Sequence, residues 1–358
     1  MARIELIDLS HSYSTGAAGG QSWALKPMTL SWRDGGAYAL LGPSGCGKTT
    51  LLNIISGLIA PTTGKVLFDG RDVTTLAPEA RNIAQVFQFP VIYDTMSVFD
   101  NLAFPLRNRK WRPADVVKRV HEVAEILELT ADLPRRAQRL SADAKQKISL
   151  GRGLVRPDVS AVLFDEPLTV IDPHVKWLLR RKLKQIHHEL KLSLIYVTHD
   201  QTEALTFADQ VVVMSEGEVV QTGTPEELFE SPAHRFVGHF IGTPGMNFLK
   251  CDWRGAPVIH GTSIATSSTN APPSSAALAV GIRPEYVEVT ANAGANCLPA
   301  QVTQVDDEGT HLMVRLRVGD DTMWAKLRDT KRLPANGSTY VHLPVDKCAL
   351  YADEQRIA

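Results

Sequence analysis

Cysteine is scarce in this chain: Cys46, Cys251, Cys297 and Cys348 lie scattered among 358 residues. Their separations match neither a disulfide framework nor a metal-ligand spacing, which fits a reducing cytoplasm. Charge of either sign is not in excess, with 38 Lys+Arg against 39 Asp+Glu. No bulk attraction to nucleic acid is therefore expected, and no nucleic-acid partner. Long apolar runs are missing as well, and none would span a bilayer. The opening residues, MARIELIDLSHSY, lack the basic segment and apolar run of a secretory leader. Internal repeats are absent too. If the chain serves a membrane, it does so from outside the lipid, through partners. Its 358 residues suggest two domains with ample length for a core.

The first half alternates strand and helix signals. AYALLG (residues 37–42) is a short apolar run ending in a glycine-rich turn, and a buried helix should follow from Lys48 through LLNIISGL. KVLFDG and NIAQVFQ read as further strands, and AVLFDE and LSLIYVTHD as later ones. Between them, residues 90–156 turn helical, with DVVKRVHEVAEILEL the clearest amphipathic piece. Strands alternating with helices argue for an α/β fold with a largely parallel sheet and crossover helices. After about residue 240 the composition changes. HGTSIATSSTNAPPSSAA (260–277) reads as a loop or linker, and QVTQVDDEGTHLMVRLRV and TMWAKLR as strands of a small antiparallel barrel or sandwich.

Two stretches carry phosphate chemistry. GPSGCGKT runs Gly42, Pro43, Ser44, Gly45, Cys46, Gly47, Lys48, Thr49, with Thr50 next, and matches G-x-x-x-x-G-K-[ST]. Its glycines let backbone N–H groups curl around a β-phosphate at the positive end of the following helix. Lys48 should reach the β- and γ-oxygens, and Thr49 should offer its hydroxyl to Mg²⁺. AVLFDE is an apolar strand ending in two carboxylates. Asp165 fits the Mg²⁺-linked acid, and Glu166 is placed to polarise an attacking water. Together these residues define a P-loop ATPase taking ATP and Mg²⁺.

Further stretches follow in a fixed order: Gln88 after NIAQVF, LSADAKQKISLGRGL from Leu140, LTVID from Leu168 to Asp172, and His199 ending LSLIYVTHD. The whole set resembles the ATP-binding subunit of an ABC transporter over roughly residues 3–240. That resemblance implies a nucleotide-binding domain over 1–240, with its helical subdomain at about 90–156. Gln88 would sense Mg²⁺ and the attacking water, alongside Thr49 and Asp165 on the metal. His199 would bond the γ-phosphate and orient Glu166. Asp172 would sit on the dimer face, and Tyr13 would stack on adenine, as suits a flat aromatic ring. GIRPEYVEV (281–289) resembles the start of the OB-like regulatory domain of carbohydrate-importer ATPases, which makes 241–358 a small all-β domain. The family works with two transmembrane permease subunits and, indirectly, a periplasmic or extracellular solute-binding protein. The chain would then lie on the cytoplasmic face of the bacterial inner membrane. The wording LSADAKQKISLGRGLV and DEPLTVIDPH looks most like one of two unlike ATPases of bacterial glycerol importers.

The signature departs from the family. Leu-Ser-Gly-Gly-Gln opens a helix aimed at ATP on the opposite subunit. Here Ser141 is kept, but Ala142, Asp143 and Ala144 replace the rest. A carboxylate at about 4 Å from a phosphate costs about 4 kcal/mol per unit charge at an effective dielectric near 20. Asp143 is also a good residue for any first helical turn. Either way the phosphate clamp is poor. A chain whose own Lys48, Glu166 and His199 are intact would complete one working site if paired with an unlike ATPase subunit. The alternatives are a homodimeric sugar or glycerol-3-phosphate importer ATPase, a purely regulatory ATP-binding module and a soluble, non-transport ABC ATPase. Intact Glu166 and His199 speak against the regulatory module. The absence of long heptads and zinc-binding cysteines speaks against the soluble ATPase.

Overall fold

The computed structural model describes residues 2–13, 22–169, 171–268, 270–328 and 337–357. The chain divides into two compact units, Met1–Pro225 and Glu226–Ala358. The first opens with strands β1 (Ile4–His11), β2 (Leu25–Trp32) and β3 (Ala37–Leu41), then helix α1 (Lys48–Ser56). Strands β4 (Thr63–Phe68) and β5 (Arg71–Asp72), the short helix α2 (Pro78–Arg81) and strand β6 (Ala84–Val86) follow. Next come helices α3 (Val98–Asn108), α4 (Pro113–Ile126) and α5 (Ala142–Leu154). The unit continues with β7 (Val162–Asp165), α6 (Pro173–Leu190), β8 (Leu194–Thr198), α7 (Gln201–Phe207), β9 (Gln210–Ser215) and β10 (Glu218–Gly223).

Among the described residues, a six-stranded sheet runs in the order β10-β9-β3-β8-β7-β6. All its pairings are parallel except that of β10 with β9. Every residue of β3 is buried, as expected for a strand covered on both faces, and this explains its unbroken apolar sequence. α1 packs Leu51, Leu52, Ile54 and Ile55 into the same core as Leu40 and Val197. β1, along its whole length, instead builds a separate antiparallel sheet in the order β2-β1-β4-β5. In the helical stretch, α4 buries Val116, Val120, Val123 and Ala124, the inward stripe that its sequence periodicity predicts. α3 begins where the Ser97 hydroxyl accepts the Asp100 N–H at 3.0 Å. The parallel order brings the carboxyl ends of β3, β8, β7 and β6 to one edge, where loops can meet a ligand.

β6 is shorter than the run NIAQVFQ implies. Asn82 takes a left-handed φ of 52° before the strand, and Phe87 and Gln88 lie beyond its end. Gln88 therefore sits in a bend rather than closing a strand.

In the second unit, strands Cys297–Asp307, Leu312–Val318 and Asp321–Leu327 pair as consecutive antiparallel neighbours, as their alternating sequence predicts. They and the strand Leu278–Ile282 close on a core that includes Leu249, Val280, Val314, Leu316 and Val341. Two expectations change here. The break falls at Pro225 rather than near residue 240. The reason is Arg283, only 1% exposed, whose guanidinium donates to the carbonyls of Leu228, Phe229, Gly238 and Ile241. A buried cation saturated by these carbonyls ties the intervening segment to the β unit. The Ser/Thr-rich stretch pairs briefly as a strand at Thr262–Ser263 and is otherwise irregular in its described residues, and it is no free linker. Ile264 is fully buried, Ser267 donates to the Cys348 carbonyl at 2.7 Å, and Ser268 to that of Ile357 at 2.8 Å.

Candidate nucleotide site

β3 delivers the glycine loop to the N-terminus of α1. Gly47 takes φ +100°, and a Cβ there would lie 2.6 Å from the Ala24 carbonyl oxygen, so only glycine closes this turn without strain. α1 has no side-chain cap and no acid in its first turn. Its orphan N–H groups and the positive end of its dipole are thus left for an anion. Pro43, Ser44 and Gly45 form the exposed rim, while Cys46 is buried. Lys48 is folded inward, its Nζ donating to the carbonyls of Gly42 at 2.7 Å and Pro43 at 2.9 Å. Burial pushes the Cys46 thiol up, against the opposing charge of Lys48, so this thiol is a poor nucleophile.

β7 brings the acids. The Thr49 hydroxyl donates to Asp165 Oδ1 at 3.0 Å, joining the phosphate loop to the strand end. Glu166 leaves the strand with φ +46°, held by its N–H to the Val197 carbonyl on β8 at 3.0 Å. This turn sends its carboxylate to the next strand end, where Oε1 lies 3.1 Å from His199 Nδ1. The Thr169 hydroxyl donates to the other oxygen at 3.3 Å.

Burial raises Asp165 above the ordinary aspartate range; the Thr49 hydrogen bond opposes this, and the Glu166 charge adds to it. The folded chain therefore binds that proton more tightly than the unfolded one. The associated stability is complete below about pH 3.9, the unfolded value, and is lost as pH rises through the folded value. Asp165→Asn keeps an acceptor for Thr49 and never ionises. In nucleotide-free protein with a chelator, it is expected to raise the melting temperature at pH 7, with the gain shrinking toward pH 4. A gain that is absent, or constant with pH, would contradict this account.

Tyr13 lies beside the loop, its hydroxyl 3.0 Å from that of Thr50. The His11 ring meets Tyr13 edge-on, with centroids 4.6 Å apart. Tyr13 is 65% exposed, which leaves ring surface open for a flat base. A cavity of about 320 Å³ runs from Tyr13 past Gly45, Lys48 and Thr49 to Glu166. Ser141, Asp143, Asp172 and Gln88 do not line it. Ser141 caps α5 by accepting the Ala144 N–H at 3.3 Å, so the hydroxyl and not the Asp143 carboxylate takes that donor. Sequence reasoning missed Thr169 and also Gln146, a fully buried amide within α5. The signal for Gln146 was a polar residue on the helix face shared with Leu150 and Gly153, four and seven positions on.

A phosphate-cradling loop, a lysine and paired carboxylates at the carboxyl edge of a parallel sheet define a P-loop nucleoside triphosphatase. Comparison with known proteins narrows the class. The ABC transporter family model matches residues 25–169, and the TOBE domain model matches residues 280–350. The chain is 37% identical to the sn-glycerol-3-phosphate import ATP-binding protein UgpC of Salmonella typhimurium over 359 residues, 99% of each chain. It is 36% identical to the uncharacterized ABC transporter ATP-binding protein YurJ of Bacillus subtilis, covering 92% of this chain and 94% of that one. The solved structure of cbiO1 from Clostridium perfringens, part of the ABC transporter complex cbiONQ, matches with a TM-score of 0.58 at 27% identity. That match covers 64% of this chain and 90% of the other. The chain belongs to the ATP-binding subunits of ABC transporters, in the importer group that carries a TOBE domain, and it hydrolyses ATP. Among the described residues no helix is long and apolar enough to cross a membrane.

Proposed function

We propose that this chain powers uptake of a small polyol, glycerol favoured, as one half of an asymmetric ATPase pair beneath two permease subunits. The pair works on the cytoplasmic face of the inner membrane and receives solute from an external binding protein. The observation that carries the asymmetry is a poor signature, Ser141-Ala142-Asp143-Ala144, on a chain whose Lys48, Glu166 and His199 are all in place. Glycerol is favoured by the wording around that signature. A second reading, a homodimer importing glycerol-3-phosphate, is favoured by the names of the relatives.

At the chain's own nucleotide, Tyr13 receives the base and the α1 N-terminus receives the phosphates. Lys48 exchanges the Gly42 and Pro43 carbonyls for β- and γ-oxygens. The Thr49 hydroxyl and Asp165 carboxylate, 3.0 Å apart, are hard oxygen donors that suit Mg²⁺, with Gln88 approaching from its loop. Bound there, Mg²⁺ would neutralise charge building on the phosphate oxygens. Glu166 takes the proton of the attacking water, while His199 orients Glu166 and bonds the γ-phosphate. Ser141, Asp143 and Asp172 face the other subunit. The C-terminal unit regulates and takes no part in chemistry.

The test is composition. The complex purified from native membranes is expected to contain this chain and a second, unlike ATPase in equal amounts by mass spectrometry. Two copies of this chain and no second ATPase would favour the homodimer.

A further inference from the structure

Gln146 is fully buried within α5, on a helix that otherwise packs Ile148, Leu150 and Leu154 inward. A buried amide must find partners, and this one finds them on two separate loops. Its Nε2 donates to the Pro167 carbonyl at 2.7 Å and stands 3.5 Å from the Phe87 carbonyl. Pro167 directly follows Glu166, and Phe87 directly precedes Gln88. Two carbonyls on one side also fix the amide's orientation, because a flip would set Oε1 against both. Oε1 is then buried with no hydrogen-bond partner among the described residues. A nonpolar side chain would fill this position without an orphaned acceptor, so packing does not account for an amide here.

We infer that Gln146 is a positioning residue for ATP hydrolysis: one amide ties α5 to both the turn carrying Glu166 and the loop carrying Gln88. α5 then has two separable tasks. Its start, with Ser141 and Ala142 exposed and Asp143 and Ala144 half-buried, addresses a nucleotide on another subunit. Its buried middle braces the chain's own catalytic turn. A chain can lose the first task and still need the second, which fits a helix whose clamp residues depart from the family while Gln146 holds both loops. The inference rests on the proposed role of Glu166 as base, but not on the asymmetry of the pair.

The test uses Gln146→Met, which keeps the volume, removes the donor and also removes the orphaned acceptor. In the assembled complex, kcat for ATP hydrolysis is expected to fall at least about tenfold, because small misplacements of a reacting group are costly. The Kd for a fluorescent ATP analogue should stay within about twofold, since the amide touches no phosphate-binding group. Hydrogen exchange on the full chain gives a readout independent of turnover. Amides at 85–89 and at 166, 168 and 169 should exchange faster in the variant. Those of α3 and α4, packed against α5 around Gly151, should not change. Normal kcat with unchanged exchange in both loops would overturn the inference. So would protection lost equally across α3 and α4, which would mark Gln146 as a packing residue only. Glu166→Gln, run alongside, separates the two readings: if it retains turnover the base assignment fails, while the exchange result still decides whether the brace exists.

Discussion

Glu166→Gln is expected to leave ATP bound and nearly abolish its hydrolysis. Gln has the shape of Glu and can keep the contact that Glu166 Oε1 makes with His199 Nδ1 at 3.1 Å. It cannot accept a proton from water. Losing a general base costs typically about 10²–10⁴-fold in rate. The phosphate grip should be untouched, because Lys48 and Thr49 open α1 and the Thr49 contact on β7 is with Asp165, not Glu166. ATP affinity measured by equilibrium binding should therefore match the parent chain, while phosphate release by the assembled complex drops to background. His199→Ala should lose turnover to a similar degree, since it frees the carboxylate from its orienting contact. Near-normal phosphate release by Glu166→Gln would refute the assignment.

Lys48→Ala in this chain is expected to stop transport, while the equivalent change in the partner ATPase costs far less. In the proposed pair the two composite sites would be unequal in chemistry. The ATP held by Lys48 would meet a good signature from the partner, whereas the partner's ATP would meet Ala142 and Asp143. A repulsion of about 4 kcal/mol corresponds to roughly a thousandfold in affinity, enough to silence that second site. Restoring Gly at both positions should raise nucleotide affinity there and nowhere else. Equal losses of uptake from the two lysine variants, measured with radiolabelled solute in whole cells, would sink the asymmetry.

The parts legible in the sequence were those whose physics is local. The phosphate loop declared itself because a helix N-terminus preceded by left-handed glycines needs those glycines, and Gly47 is left-handed, as that argument requires. β3, β7 and β8 were readable as apolar runs because both faces of a parallel sheet are covered. Gln88 falls outside the strand because β6 stops at Val86, and nothing in the apolar spacing of NIAQVFQ signalled that early end. The domain break was misplaced for a different reason. Arg283 looked like one member of a motif, while its carbonyl partners lie forty to fifty-five positions away in sequence. Gln146 escaped notice on the same grounds: its two acceptors come from loops that only the fold brings together.

Lys48 has partners within its own loop. With the ammonium seated on the Gly42 and Pro43 carbonyls, its charge is solvated by the protein itself. Nucleotide binding is then a swap of anionic for dipolar partners, so the affinity it yields is smaller than the bare attraction of lysine for phosphate. The same seat waits when phosphate departs. Product release need not strand a buried cation, and the loop can return to its starting shape without unfolding. For a motor that must let go of ADP in every cycle, a ready berth for its strongest cation favours throughput over tight binding.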